Sequence, residues 1–197
     1  MIEIPEIDAS VAQILIVDII ADSFLGQLNS YQKIAGGWFK QVLYNIPVVI
    51  GKNGATADKV EGDNKTPLGI FKLGACFGKE ACPAFIKGKY HQITKVDKFI
   101  DDPNSEQYNS WVSTATTANS YETMLRNDDL YDLGLIVEYN MHPVIASKGS
   151  AIFMHIWRNQ YTGTEGCIAM NKQNLQLVLA SLNPHSKPHL WLRMQKH

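Results

Sequence analysis

The chain has 197 residues, 45% of them hydrophobic and 19% charged, with a formal net charge of -1. That length supports one sizeable core in a single domain over residues 1–197, and the composition excludes a disordered chain. Lys and Arg are scattered without a basic stripe, which excludes nucleic acid as a partner.

The first apolar stretch, Val11 to Ala21, is interrupted by Gln13 and Asp18. It falls well short of the roughly 20 apolar residues that span a bilayer, so no membrane span is expected. The first ten residues hold Glu3, Glu6 and Asp8 but no Lys or Arg, unlike the basic start of a secretory leader. Either the chain stays inside the cell or its leader has been removed.

No internal repeat or low-complexity linker divides the sequence. Ala12 to Ile20 is rich in Ile and Val, and Gln27 to Ile34 alternates polar and apolar positions before a Gly36-Gly37 turn. Trp38 to Leu43 and Pro47 to Ile50 follow as two further strands. Between Gly51 and Gly69 the chain turns polar and carries Gly51, Gly54, Gly62, Pro67 and Gly69, which predicts a long, structured loop. Tyr121 to Arg126 reads as a short helix. Leu135 to Tyr139 and Ala151 to Trp157 read as strands, the second apolar enough to be buried on both faces. A helix follows Ala169, with Asn171 as N-cap, Leu175, Val178, Leu179 and Leu182 at helical spacing, and Pro184 closing it. The pattern is mainly β, with the close strand spacing of a β-sandwich or barrel and a few short helices.

The three cysteines leave one unpaired after any single bridge. Cys76 and Cys82 are close enough in sequence for a disulfide in an oxidising compartment, and equally consistent with three reduced thiols. The segment GSAIFMHIWRNQYTGTEGCIAM, Gly149 to Met170, puts His155 in an apolar strand and Cys167 after a glycine-containing turn. Taken singly, each reads as an ordinary core residue. Together they supply what thiol chemistry needs, a nucleophile and a base on a neighbouring rigid strand. A helix N-terminus just after Cys167 would favour the thiolate, and the Thr164-Glu165-Gly166-Cys167 turn would aim backbone N–H groups at an oxyanion. His precedes Cys by twelve positions, the reverse of the papain-like order. The other histidines, His91, His142, His185, His189 and His197, are dispersed, and no metal or other cofactor is expected.

Several segments together resemble the L,D-transpeptidase catalytic domain, in the branch with long EGD-type loops. They are EGDNKTPLG at Glu61 to Gly69, Asp101-Asp102 with Tyr108-Asn109, Glu138-Tyr139-Asn140, GSAIFMH ending at His155, and TEGCIAM at Thr164 to Met170. The resemblance spans nearly the whole chain. It implies a β-sandwich-like domain acting on peptidoglycan stem peptides, with Cys167 attacking a stem-peptide carbonyl to form a thioester and His155 moving the proton. It also implies a periplasmic or cell-surface location, and it places Thr164 and Gly166 around the nucleophile and oxyanion hole.

Two departures bear on donor recognition. Many members of that family carry His before the Gly-Cys pair and Arg two positions after it, where this chain has Glu165 and Ala169. Arg158 is a candidate replacement, with a solvated loop residue as the alternative, and Asp63 and Glu165 are further candidate substrate contacts. Asp63, Lys65 and Thr66 would line the groove or simply shape the turn. Asp102, Tyr108, Asn109 and Asn140 read as residues that hold loops through bonds to backbone. The same Cys-His pair would also serve an L,D-carboxypeptidase or peptide amidase, and a catalytically silent cell-wall binding module is the reading from another class. The sequence carries no signal of oligomeric state.

Overall fold

The computed structural model describes residues 7–35 and 39–195. The Gly36-Gly37 turn, Trp38 and His197 lie outside the described residues.

The first strand, β1 (Gln13–Ile19), is buried almost throughout, as its Ile/Val content requires. It pairs antiparallel with β2 (Leu25–Lys33), and β2 pairs antiparallel with β3 (Phe39–Val49). The two strands expected over Trp38–Leu43 and Pro47–Ile50 are therefore one. Bulges carry β3 past its irregular middle, where Asn45 adopts a left-handed φ of 48°. The Asn29 side chain ties that bulge down, accepting from Asn45 N at 2.9 Å and from Gln41 Nε2 at 2.7 Å. Pro47 is tolerated because the far edge of β3 pairs only at Val49.

The loop from Gly51 to Gly69 carries a two-residue parallel ladder, β4 (Ala55–Thr56) with β5 (Thr66–Pro67). Then come β6 (Gly69–Gly78), β7 (Tyr90–Gln92), β8 (Lys98–Ile100), β9 (Trp111–Val112) and β10 (Tyr121–Thr123). The short helix expected over Tyr121 to Arg126 is instead β10, which pairs with β8. Tyr121 and Thr123 are exposed while Glu122 and Met124 turn inward, a period of two rather than 3.6.

The chain continues through β11 (Leu133–Val137), β12 (Phe153–Ile156), β13 (Ile168–Met170), α1 (Lys172–Ser181) and β14 (His189–Met194). Nine strands form one sheet in the order β11-β12-β13-β3-β2-β1-β14-β6-β7, and β11 also pairs with β6, so the sheet closes on itself. A smaller sheet, β10-β8-β9, forms the second layer of a sandwich-like arrangement. Among the described residues there is one α-helix, followed by a 3-10 turn at Pro184–Ser186, and no helix is long and apolar enough to cross a membrane.

Helix α1 starts where the sequence predicts. Asn171 accepts from Asn174 N at 2.7 Å, and Leu175, Val178 and Leu179 are buried against the inner core with Leu15, Val17, Met154 and Ile156. Strand β12 is buried on both faces. Met154 and Ile156 belong to that inner core, while Phe153 packs outward with Phe77, Phe99, Met124 and Tyr131. The outward face of β12, between the main sheet and the small one, is where the chemistry-bearing residues gather.

Candidate active site

Strand β13 runs parallel to β12, with His155 opposite Ala169 and Met154 opposite Ile168. Continuing that register by one residue puts Cys167 opposite Phe153, and Phe153 N indeed donates to Cys167 Sγ at 3.3 Å. Because side chains alternate along a strand, Cys167 and His155 share one face, a diagonal step of roughly 7–8 Å apart. Both line a groove of about 440 Å³ together with Val49, Asp101, Glu122, Arg126 and Tyr131.

The helix begins where expected, but its N-terminus does not adjoin Cys167. Three residues of β13 and the cap Asn171 separate the thiol from Lys172, so the helix dipole does not act on the sulfur. Burial instead pushes the Cys167 thiol well up, with Glu122 adding to the effect and the Phe153 N–H and Lys59 opposing it. The thiol donates to Ala151 O at 3.2 Å. Ala151 holds a left-handed φ of 53°, and its N–H is fixed by Asn109 Oδ1 at 3.1 Å. A strained backbone unit thus presents its carbonyl to the resting S–H.

His155 is buried, which lowers its pKa to about 4. Its Nδ1 lies 2.8 Å from Ile156 O. A carbonyl only accepts, so Nδ1 carries the proton and Nε2 keeps its lone pair. The Tyr131 ring meets the imidazole edge-on at 5.3 Å between centroids. The resting pair is a neutral thiol and a neutral imidazole, each tied to a backbone carbonyl rather than to the other.

The turn before Cys167 is braced from two sides. Thr164 Oγ1 donates to Cys167 O at 2.6 Å and accepts from Gly166 N at 3.1 Å. Thr66, from the EGDNKTPLG segment, donates to Gly166 O at 2.7 Å while accepting Gly51 N at 2.9 Å. Gly51 and Thr164 also form a parallel bridge, so the long loop clamps the nucleophile turn at its root. Gly166 has φ +142°, and a Cβ there would meet Lys65 O at 3.1 Å. With the Gly166 N–H spent on Thr164, the N–H groups of Glu165 and Cys167 have no partner among the described residues. They are the donors this turn has left for an oxyanion.

The other sequence candidates separate. Arg158 and Glu165 line the groove at its exposed rim, and Glu165 approaches Lys52 at 3.9 Å. Asp63 does not line it. Its carboxylate accepts from Lys59 Nζ at 2.7 Å, Val60 N at 2.9 Å and Lys65 N at 2.8 Å. Burial alone would raise the Asp63 carboxyl, and these bonds outweigh it and lower it. Lys59 is itself buried, with Nζ 3.5 Å from where a Cβ on Gly166 would stand, so the ion pair underlies the turn. Asp102, Asn109 and Asn140 hold backbone as expected, and Tyr108 donates to Glu61.

Sequence reasoning missed Glu122 and Tyr131. Tyr131 donates to Glu122 through a short bond, and Glu122 faces the groove. The signal was present in the alternation of Tyr121-Glu122-Thr123-Met124, which reads correctly only as a strand.

Cys76 and Cys82 are both free, Cys76 buried and Cys82 exposed. Cys76 lines a larger cavity of about 650 Å³ that also includes His189. His189 pairs with Lys72, four residues along β6 from Cys76, or roughly 13 Å, so no second thiol-imidazole pair forms there. No group of three or more potential metal ligands occurs among the described residues.

A thiol, an imidazole with a free Nε2 and unpaired backbone N–H groups on one side of a groove are the parts that acyl transfer through a thioester requires. A model of the L,D-transpeptidase catalytic domain family (YkuD) matches residues 30–186, and the chain belongs to that family. Neither the curated proteins nor the solved structures contain a match to this chain.

Proposed function

We propose that this protein is a cysteine-dependent L,D-transpeptidase that cross-links peptidoglycan stem peptides, with Cys167 as nucleophile and His155 as general base and acid. One observation supports the reading above the others: Cys167 and His155 face the same groove from adjacent parallel strands, with His155 Nε2 free to accept a proton.

In this mechanism the Cys167 S–H leaves Ala151 O for His155 Nε2 as the sulfur attacks the carbonyl between the third and fourth stem residues. The carbonyl oxygen becomes an oxyanion, stabilised by N–H groups of the 164–167 turn. The leaving D-residue takes the proton from the imidazolium, and a thioester remains. An amine from a second stem then attacks, passes a proton to His155, and expels the sulfur. Because the pair rests neutral, proton transfer accompanies attack instead of preceding it. This reading assigns to Arg158, exposed at the groove's rim, the pairing with a substrate carboxylate. The substrate places the reaction in the periplasm or at the cell surface.

Mass spectrometry of products from a disaccharide-tetrapeptide, with and without an acceptor stem, tests the reading. A cross-linked dimer that requires intact Cys167 supports transpeptidation. Hydrolysed tripeptide alone, even with acceptor present, makes the protein an L,D-carboxypeptidase. No turnover with either would leave a binding module.

A further inference from the structure

Glu122 faces the groove without an ion-pair partner among the described residues. Among the described residues its one hydrogen-bond partner is Tyr131, whose OH donates to Oε2, and it takes part in no ion pair. Arg126 also lines the groove and stacks over the Tyr131 ring at 5.1 Å, but its guanidinium is committed to Asp128 through two bonds of 2.8 Å. Asp101 lines the groove too, with its buried Oδ1 unpartnered among the described residues. A carboxylate held out of bulk water is costly unless a cation meets it. Here two carboxylates face the space beside the thiol; Arg126 acts on Glu122 only through space, and among the described residues neither carboxylate is ion-paired with a Lys or Arg.

We infer that Glu122, aided by Asp101, is the acceptor-recognition residue of this groove, binding the ammonium form of the attacking amine and taking its first proton. The inference rests on the proposed transpeptidation. An alkyl ammonium has no lone pair and cannot attack a thioester. Transferring one proton to Glu122 leaves a neutral amine and a carboxylic acid. The amine nitrogen then bonds to the thioester carbonyl carbon, its second proton passes to His155 Nε2, and the C–S bond breaks. The sulfur departs with the electron pair and recovers that proton from the imidazolium, giving the amide and the Cys167 thiol. Glu122 releases its proton to water. Burial first, with Asp101 adding to it and Tyr131 opposing it, brings the Glu122 pKa up to about 7, which suits a group that must both take and return a proton near neutrality.

The test is the partition of one shared thioester. Wild type, Glu122→Gln and Asp101→Asn are given the tetrapeptide donor with either a stem-peptide amine or hydroxylamine, which is largely uncharged at neutral pH. The ratio of aminolysed to hydrolysed product is then read by mass spectrometry, and it does not depend on the acylation rate. Glu122→Gln is expected to lower that ratio about tenfold or more for the stem amine, the scale of a lost charge-assisted bond, and to leave the hydroxylamine ratio close to wild type. Asp101→Asn should act in the same direction more weakly. An unchanged stem-amine ratio, or an equal fall with both nucleophiles, overturns the inference. Absence of any thioester in the wild type would instead overturn the transpeptidase reading itself.

Discussion

The Thr66 hydroxyl bridges two backbone segments, donating to Gly166 O at 2.7 Å and accepting from Gly51 N at 2.9 Å, and so sets the carbonyl immediately before Cys167. Thr66 is fully buried, so no water replaces it. Thr66→Val keeps the shape and orphans both groups, at a cost of about 3 kcal/mol, or roughly 6–12 °C in Tm for a chain of this size. Thr66→Ser keeps the bridge and should retain most of the stability and activity. Differential scanning calorimetry of the two variants checks this; equal melting temperatures would remove the bridge from the account.

Gly166 is the next point of constraint. Its φ of +142° and the nearby Lys65 O make alanine strained there, at about 1–3 kcal/mol. The relief available is to rotate the turn that carries Cys167, so Gly166→Ala is expected to lose turnover more than tenfold while remaining folded. Circular dichroism with product assay separates the two effects.

The buried thiol predicts a particular order of labelling. Cys82 is exposed, whereas Cys167 is buried, its thiol pushed well up, with its proton held by Ala151 O. A small alkylating reagent near neutral pH should modify Cys82 first, with Cys167 slower by an order of magnitude or more. Peptide mapping at timed intervals reads the order. Rapid, selective alkylation of Cys167 would show that its resting form is a thiolate.

His155 and Glu122 oppose each other in the pH dependence of stability. The folded His155 pKa, about 4, lies below its unfolded value near 6.5, so the unfolded chain binds the extra proton between them. Stability from His155 is present above about pH 6.5 and is lost as pH falls, with a slope of up to about 1.4 kcal/mol per unit. Glu122 is raised to about 7, so its contribution is present below its unfolded pKa near 4.3 and is lost as pH rises toward 7. Arg126 opposes protonation of both groups, while Asp101 and Glu165 favour it for Glu122 and Asp128 for His155. The two slopes largely cancel between pH 4.5 and 6.5 in the wild type. Glu122→Gln removes one and should make urea-unfolding stability climb with pH across that window; a variant as flat as the wild type would contradict the assignment.

The elements legible in the sequence were those fixed by local pattern. The Ile/Val run of β1, the apolar run of β12 and the Asn171 cap of α1 each carry their signal within a few residues. The thiol and imidazole were legible through the resemblance carried by GSAIFMH and TEGCIAM. What was not legible depends on contacts distant in sequence. Thr66 and Gly166 are 100 residues apart, and a threonine in a glycine-rich loop looks like a turn residue. Glu122 was hidden because a short Tyr-Glu-Thr-Met run fits a helix until β8 pairs with it. The strand β13 between Cys167 and α1 was not legible because three apolar residues, Ile168 to Met170, lead into a helix or make a short strand equally well, and pairing with β12 makes them the strand.

The most direct test of the account is intact-protein mass spectrometry of the enzyme mixed with a tetrapeptide donor and quenched in acid, followed by digestion. The account predicts a mass increase equal to the donor lacking its terminal D-residue, carried on the peptide containing Cys167, released by hydroxylamine, and abolished in Cys167→Ala and slowed at least a hundredfold in His155→Gln. Donor turnover that persists in Cys167→Ala, or an adduct mapped to another residue, would contradict it.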